Sequence, residues 1–181
     1  MERNGISVDQ LLGTIEAVKA QPELARFQFR SKTTWEGGGH SEARIQSFYG
    51  TGKEDSSRDE PFVIVSDEPP ILLGTNHGPN AVELVLAALA SCLTVSIVYS
   101  AAAKDITVHE LTLALEGDLD LHGFLGLSET VRPGYEEIQV RYHVVSDASA
   151  EQLAELMAHA QETSPVLDIV RNPVPVTFVA E

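Results

Sequence analysis

The stretch GPNAVELVLAALASCLTVSIVYSAAA, residues 78–103, decides the fold, because it predicts one long helix that ends near Lys104-Asp105. Asn80 is a good N-cap, and Glu83 follows it at the spacing of a capping box. From Leu84 to Ala103 there are twenty residues without a charge, which is enough to cross a bilayer. Alanine, serine and threonine dilute the hydrophobicity of this run, and its flanks lack a Lys/Arg cluster or an aromatic belt. We therefore expect the central helix of a soluble core rather than a membrane span.

The rest of the chain is predicted from apolar periodicity, caps and turn residues. Helices are expected at 8–20, from Asp147 or Ser149 to 162, and at 165–170; strands at 26–35, 41–49, 61–65, 106–116, 135–145 and 174–179; and loops at 50–60 and 117–134. The strands come in antiparallel-looking blocks rather than in strict βα alternation. The predicted class is therefore α+β, an antiparallel sheet with the long central helix.

Composition narrows the function classes. The 181 residues carry 12 Lys+Arg against 27 Asp+Glu, a net charge of −15, and this acid excess argues against nucleic acid or membrane as a partner. No two of the six histidines have metal-ligand spacing, so we expect neither a metal nor another cofactor. A single cysteine, Cys92, fits a reducing compartment. The first ten residues show no secretory signal, so the expected location is the cytoplasm.

Cys92 is the residue most suited to chemistry, and two interpretations of it stay open. It is either a small buried hydrophobe, as free cysteine often is, or a reactive thiol. A reactive thiolate needs a cation brought from elsewhere in the fold, because the dipole of its own helix fades after the first turn. Ser164 precedes Pro165 and is interpreted as a helix cap in preference to a nucleophile.

Two motifs carry a resemblance to a known family, supported by an early glycine turn. They are Gly78–Leu84 with Ala87–Cys92, then Ser164-Pro165-Val166 with Asn172–Val176, and the turn is Trp35-Glu36-Gly37-Gly38. Together they resemble the OsmC/Ohr family, the osmotically inducible and organic hydroperoxide resistance proteins. The resemblance covers residues 26–180, which implies an OsmC-like domain at 26–181 after a helical extension at 1–25. It further implies an intertwined homodimer with its active sites at the subunit interface.

The resemblance also implies roles for particular residues. Cys92 matches the reactive cysteine, but Ser164 stands at the position of the resolving cysteine, so an external thiol has to reduce the oxidised sulfur. The arginine of the family falls near Gly39 and His40, which leaves Arg30 and Arg44 as substitutes. The alternative is that both arginines are charges on the solvent side of a hairpin.

Glu83 is the candidate for the family's glutamate, although that position corresponds most nearly to Val82. Its alternative is the helix cap. It lies nine residues before Cys92, which places it on the opposite side of a straight helix.

Two functions follow as hypotheses. The first is a thiol-based redox role, in which one cysteine reduces organic hydroperoxides with an external thiol. The alternative is a non-catalytic OsmC-fold module that binds a small apolar ligand at the dimer interface. Residues 118–133 hold leucines and a phenylalanine, too apolar for a freely solvated loop, so we expect them to pack over the partner subunit or to line an apolar pocket.

Overall fold

The computed structural model describes residues 1–180, which form two compact units. The first unit contains Met1–Val8 and the chain from Leu86 onward, and the second contains Asp9–Val85. The strands are β1 (Glu2–Arg3), β2 (Ile6–Ser7), β3 (Lys32–Gly37), β4 (His40–Ile45), β5 (Phe48–Gly50), β6 (Lys53–Asp55), β7 (Phe62–Ser66), β8 (Val108–Asp118) and β9 (Glu137–Ser146). The α-helices are α1 (Val8–Ala20), α2 (Ala81–Ala103), α3 (Leu121–Phe124), α4 (Ala150–Thr163) and α5 (Pro165–Arg171).

Within residues 1–180 all paired strands are antiparallel, and with the α-helices they confirm the predicted α+β class. The strands named above form four small sheets: β1-β2, β3-β4-β7, β5-β6 and β8-β9. In the second unit, β4 is the middle strand between β3 and β7. In the first unit, β8 and β9 form a long hairpin in which Leu113 lies opposite Tyr142 and Leu115 opposite Val140.

The core of the first unit is built on one side of α2. Leu89, Leu93 and Leu167 form a buried cluster, against which side chains of β8, β9 and α5 pack, namely Leu113, Leu115, Ile138, Val140 and Val166. Further along α2, Ile97 packs with Met157 and Ala160 of α4. The spacing of Leu89, Leu93 and Ile97 is four residues, which keeps them on one helix face.

The expectation of a central core helix holds for that face of α2. Within residues 1–180, α2 is the one helix long and apolar enough to span a membrane. In its most apolar stretch of 18 residues, 17% are buried. Val95 and Tyr99 lie on the other side and are 51% and 47% exposed. The helix is therefore apolar all round, but the single chain covers only one side of it.

Several element predictions need correction. In the predicted strand 26–35, β3 begins only at Lys32, and Gln28 forms an isolated bridge with Tyr49. The predicted loops 50–60 and 117–134 contain β6 and α3, respectively. The predicted strand 174–179 is absent, and the segment 173–180 has no regular structure. Its prolines at 173 and 175 have no N–H to donate to a strand neighbour.

The N-terminal hairpin β1-β2 also escaped prediction. Its turn is Asn4-Gly5, with φ of 54° and 73°, which suits the left-handed positions of a two-residue hairpin. The Asn4 side chain donates to the carbonyl of Ile106 at 3.0 Å and accepts from the amide of Val108 at 2.9 Å. The side chain thereby acts like a strand neighbour and attaches the N-terminus to the start of β8.

Candidate functional site

The contact between Cys92 and Ser164 defines the candidate site in the first unit. Cys92 lies in the middle of α2 and is half-buried. The Ser164 hydroxyl donates to its Sγ atom at 3.2 Å, although the two residues are 72 positions apart in the chain. The structure therefore brings together the predicted reactive cysteine and the residue at the predicted resolving position.

Two helix ends place Ser164 beside the sulfur. It is the C-cap of α4 and the N-cap of α5, and its Oγ accepts from the amide of Leu167 at 3.3 Å. Pro165 occupies the first position of α5, where a missing N–H costs nothing. The predicted capping role of Ser164 is present, and the same hydroxyl reaches the thiol. With 1% of its surface exposed, this hydroxyl is shielded from water.

Residues of the buried apolar cluster lie one helical turn from each member of this pair. Leu89 lies one turn before Cys92 on α2, and Leu167 lies one turn after Ser164 on α5. Both belong to the buried cluster with Leu93. The pair is thus close in the chain to a buried apolar cluster, and Cys92 itself is partly exposed.

The two candidate arginines are paired with carboxylates in the second unit. Arg30 donates through both terminal nitrogens to Glu54 at 2.8 Å, and this bond raises the pKa of Arg30 and lowers that of Glu54. Arg44 forms an ion pair with Glu42 of the same strand. A role for either guanidinium at Cys92 stays a prediction.

Glu83 forms a capping box at the start of α2. Its carboxylate accepts from the amide of Asn80 at 2.9 Å, and the Asn80 side chain accepts from the amide of Glu83 at 2.9 Å. The cap inferred from the sequence is therefore present. The alternative role of Glu83 beside the sulfur stays a prediction.

A buried carboxylate, Asp67, escaped the sequence analysis. It is 2% exposed and accepts hydrogen bonds from the Thr75 hydroxyl at 2.7 Å and from the amides of Glu68, Thr75 and His77. The Thr75 hydroxyl, followed by these amides, lowers the pKa of Asp67 well below its usual range. Asp67 thus fixes the loop that leads into α2. In the sequence, the polar and turn residues at 75–80 are the one signal that indicates a loop fixed by side-chain hydrogen bonds.

The apolar segment between β8 and β9 is exposed. Phe124, Leu125 and Leu127 are 71%, 58% and 68% exposed, around the single turn of α3. The predicted cover of this segment by a partner subunit, or its use as a pocket wall, stays a prediction. Among residues 1–180, no group of three or more His, Cys, Asp or Glu side chains is placed to hold a metal ion.

Comparisons with known proteins agree on one fold. The sequence model of the family described as "OsmC-like protein" matches residues 74–179. An OsmC-like protein from Mycoplasma pneumoniae superimposes with a TM-score of 0.61 at 18% identity, over 81% of this chain and 89% of that one. A putative osmotic stress induced and detoxification response protein from Psychrobacter arcticus gives 0.57 at 18% identity, over 76% and 85%.

A third solved structure is similar in the same way. It is an organic hydroperoxide resistance protein OsmC from Legionella pneumophila, with a TM-score of 0.55 at 19% identity, over 80% of this chain and 89% of that one. A comparison with curated proteins finds no match. At these identities the structural likeness shows a shared fold.

Proposed function

This chain belongs to the OsmC-like family, and from that premise we propose that it reduces organic hydroperoxides at Cys92 with an external thiol as reductant. The resemblance to the OsmC/Ohr family is confirmed, since the family's sequence model and the solved structures both match. The observation that carries the proposal is a half-buried sulfur with a buried hydroxyl donor beside it. One similar structure is named as an organic hydroperoxide resistance protein, which supports the choice of substrate class.

The proposed cycle uses one protein sulfur and two molecules of external thiol. The Cys92 thiolate attacks the terminal oxygen of the hydroperoxide and the O–O bond breaks; the sulfur becomes a sulfenic acid, and the alkoxide takes a proton to leave as an alcohol. A first external thiol condenses with the sulfenic acid, forming a mixed disulfide and water. A second thiol attacks this disulfide, restoring Cys92 and releasing an external disulfide. The hydroperoxide has then gained two electrons, and the two thiols have lost them.

The external thiol is required because Ser164 cannot form a disulfide. Cys92 is the single cysteine of the sequence, so a resolving sulfur within the chain is impossible. Low-molecular-weight thiols are kept reduced in the cytoplasm, and we propose that location for the protein. Arg30, Arg44 and Glu83 stay as the proposed charged partners of the sulfur chemistry.

We also propose that the protein works as a homodimer. Val95 and Tyr99 leave one side of α2 apolar and exposed, and such a surface is usually covered in a soluble protein. The expected result is a dimer mass by light scattering during size exclusion. A monomer at every concentration tested would refute this part of the proposal.

A direct assay tests the proposed function. Purified protein is mixed with cumene hydroperoxide and dithiothreitol, and the alcohol product is followed; Cys92→Ser is the matched control. A sulfenic acid trap such as dimedone should add to the wild-type protein once, seen by intact mass. The absence of both turnover and a dimedone adduct would contradict the proposal.

The second candidate function is binding without catalysis. It is favoured by the exposed apolar side chains of Phe124, Leu125 and Leu127, which suit a small apolar ligand at the dimer interface. Native mass spectrometry of freshly purified protein should then show a bound small molecule. An empty protein with strong peroxidase turnover would reject this candidate.

A further inference from the structure

We propose that the Ser164 hydroxyl donates a hydrogen bond that stabilises negative charge on the Cys92 sulfur, in addition to capping α5. The inference deepens the proposed function, because it concerns the same sulfur. It also gives the serine at the resolving position a chemical role of its own.

The hydrogen-bond geometry leaves the hydroxyl one direction in which to donate. A serine hydroxyl has one hydrogen and two lone pairs. The amide of Leu167 donates to the oxygen at 3.3 Å, so it uses a lone pair and leaves the hydrogen free. The Sγ atom of Cys92 lies 3.2 Å away, and the hydroxyl donates to it. Linked hydrogen bonds polarise one another, so the amide strengthens the donation to sulfur.

The surroundings decide which form of the sulfur this donation favours. Apolar side chains from β8, β9 and α5 pack on the buried cluster, namely Leu113, Leu115, Ile138, Val140 and Val166. On α5 the carboxylate of Asp168, which follows Leu167 in the chain, accepts a hydrogen bond from Asn172 at 2.8 Å. Apolar surroundings alone disfavour a charged sulfur. A hydrogen bond to a charged acceptor is about twice as strong as one between neutral groups, so the Ser164 hydroxyl acts in the opposite direction.

This role differs from capping in a measurable way. Capping requires an acceptor oxygen for the amide of Leu167, whereas stabilisation of the thiolate requires a hydroxyl hydrogen directed at sulfur. Glycine is tolerated at an N-cap at a cost of a few tenths of a kcal/mol, but alanine costs about 1 kcal/mol. Ser164→Gly and Ser164→Ala therefore remove the same hydroxyl with different effects on the helix, and Ser164→Thr keeps both the cap and the donor.

The experiment is the rate of Cys92 alkylation by iodoacetamide, measured against pH for the full chain and the three variants. The plateau rate at high pH measures access to the sulfur. The pH at which the rate is half of the plateau measures how easily the thiol ionises. We expect the glycine and alanine variants to react about tenfold more slowly at pH 7, with the profile moved to higher pH. The threonine variant should react like the wild type.

Two results would overturn the proposal. One is a wild-type pH profile in the glycine variant, which lacks the hydroxyl and costs the helix less than the alanine variant does. The other is a threonine profile that moves to higher pH as far as the glycine profile does, although threonine keeps the hydroxyl. The assay needs no hydroperoxide, so a protein that lacks peroxidase turnover can still show the effect. Failure of the proposed function and failure of this inference are thereby distinguished.

Discussion

Replacement of Ser164 by cysteine should create a disulfide across the candidate site. In the structure the Ser164 oxygen lies 3.2 Å from the Cys92 sulfur. Cysteine differs from serine only in the atom bonded to Cβ, so its sulfur occupies nearly the same place as the serine oxygen. A small side-chain rotation then brings the two sulfurs to bonding distance.

The size of the effect follows from the chain length between the two residues. They are 72 positions apart, and closing a loop of that size removes entropy from the unfolded chain worth about 4 kcal/mol. Loss of the serine cap costs about 1 kcal/mol. We therefore expect the oxidised variant to be about 3 kcal/mol more stable than the wild type, and about 4 kcal/mol more stable than its own reduced form.

Urea unfolding of the oxidised and reduced variant measures this difference, and a thiol titration counts free sulfurs in each form. Ser149→Cys is the matched control, because Ser149 caps α4 in the same way through Gln152. The 14 residues of α4 place Ser149 about 20 Å from Ser164, too far from Cys92 for a bond. Two free thiols in the oxidised Ser164→Cys protein would refute the contact on which the site rests.

Three further predictions concern stability. Hydrogen bonds lower the pKa of Asp67 from its ordinary 3.8, so the ionised carboxylate stabilises the fold above that pH. This stabilisation is lost when stronger acid protonates Asp67. In acid unfolding, Asp67→Asn should therefore make the free energy of unfolding depend less on pH. Asn4→Gly should cost about 2 kcal/mol in thermal unfolding through its two lost hydrogen bonds, and Asn4→Ala about 1 kcal/mol more because of its positive φ. Equal losses in the two variants would contradict that reasoning. Leu156→Ala should cost about 2–5 kcal/mol in urea unfolding, because Leu156 is fully buried in a cluster with Ala101 and Ile106; a loss below that range would show that this cluster tolerates the cavity.

Helices α2, α4 and α5 were predictable because their ends carry local signals. Asn80 with Glu83 and Ser149 with Gln152 form capping boxes, and Pro165 begins α5. These bonds join residues within one turn, so the sequence alone specifies them. The hairpin turn at Asn4-Gly5 carries an equally local signal, an Asn-Gly pair in the left-handed conformation.

Strands and the site depend on distant partners. Residues 26–31 have the alternation of a strand, but only Gln28 finds a neighbour, in the bridge to Tyr49. Whether such a segment pairs is decided by the rest of the chain, since strand propensity reflects packing on neighbouring strands. The contact of Cys92 with Ser164 joins residues 72 positions apart, and no spacing rule specifies it. The resemblance identified both residues, and the structure supplied the distance.

The corner at Ser164 also limits how this chain can change in length. One residue ends α4 and begins α5, so no slack separates the two helices. An inserted or deleted residue here would turn α5 by about 100° relative to α4 and move Leu167 out of the buried cluster. The stretch 125–136, by contrast, connects α3 to β9, is exposed at most of its positions and can absorb such a change. We therefore expect this corner to tolerate substitutions far better than insertions or deletions.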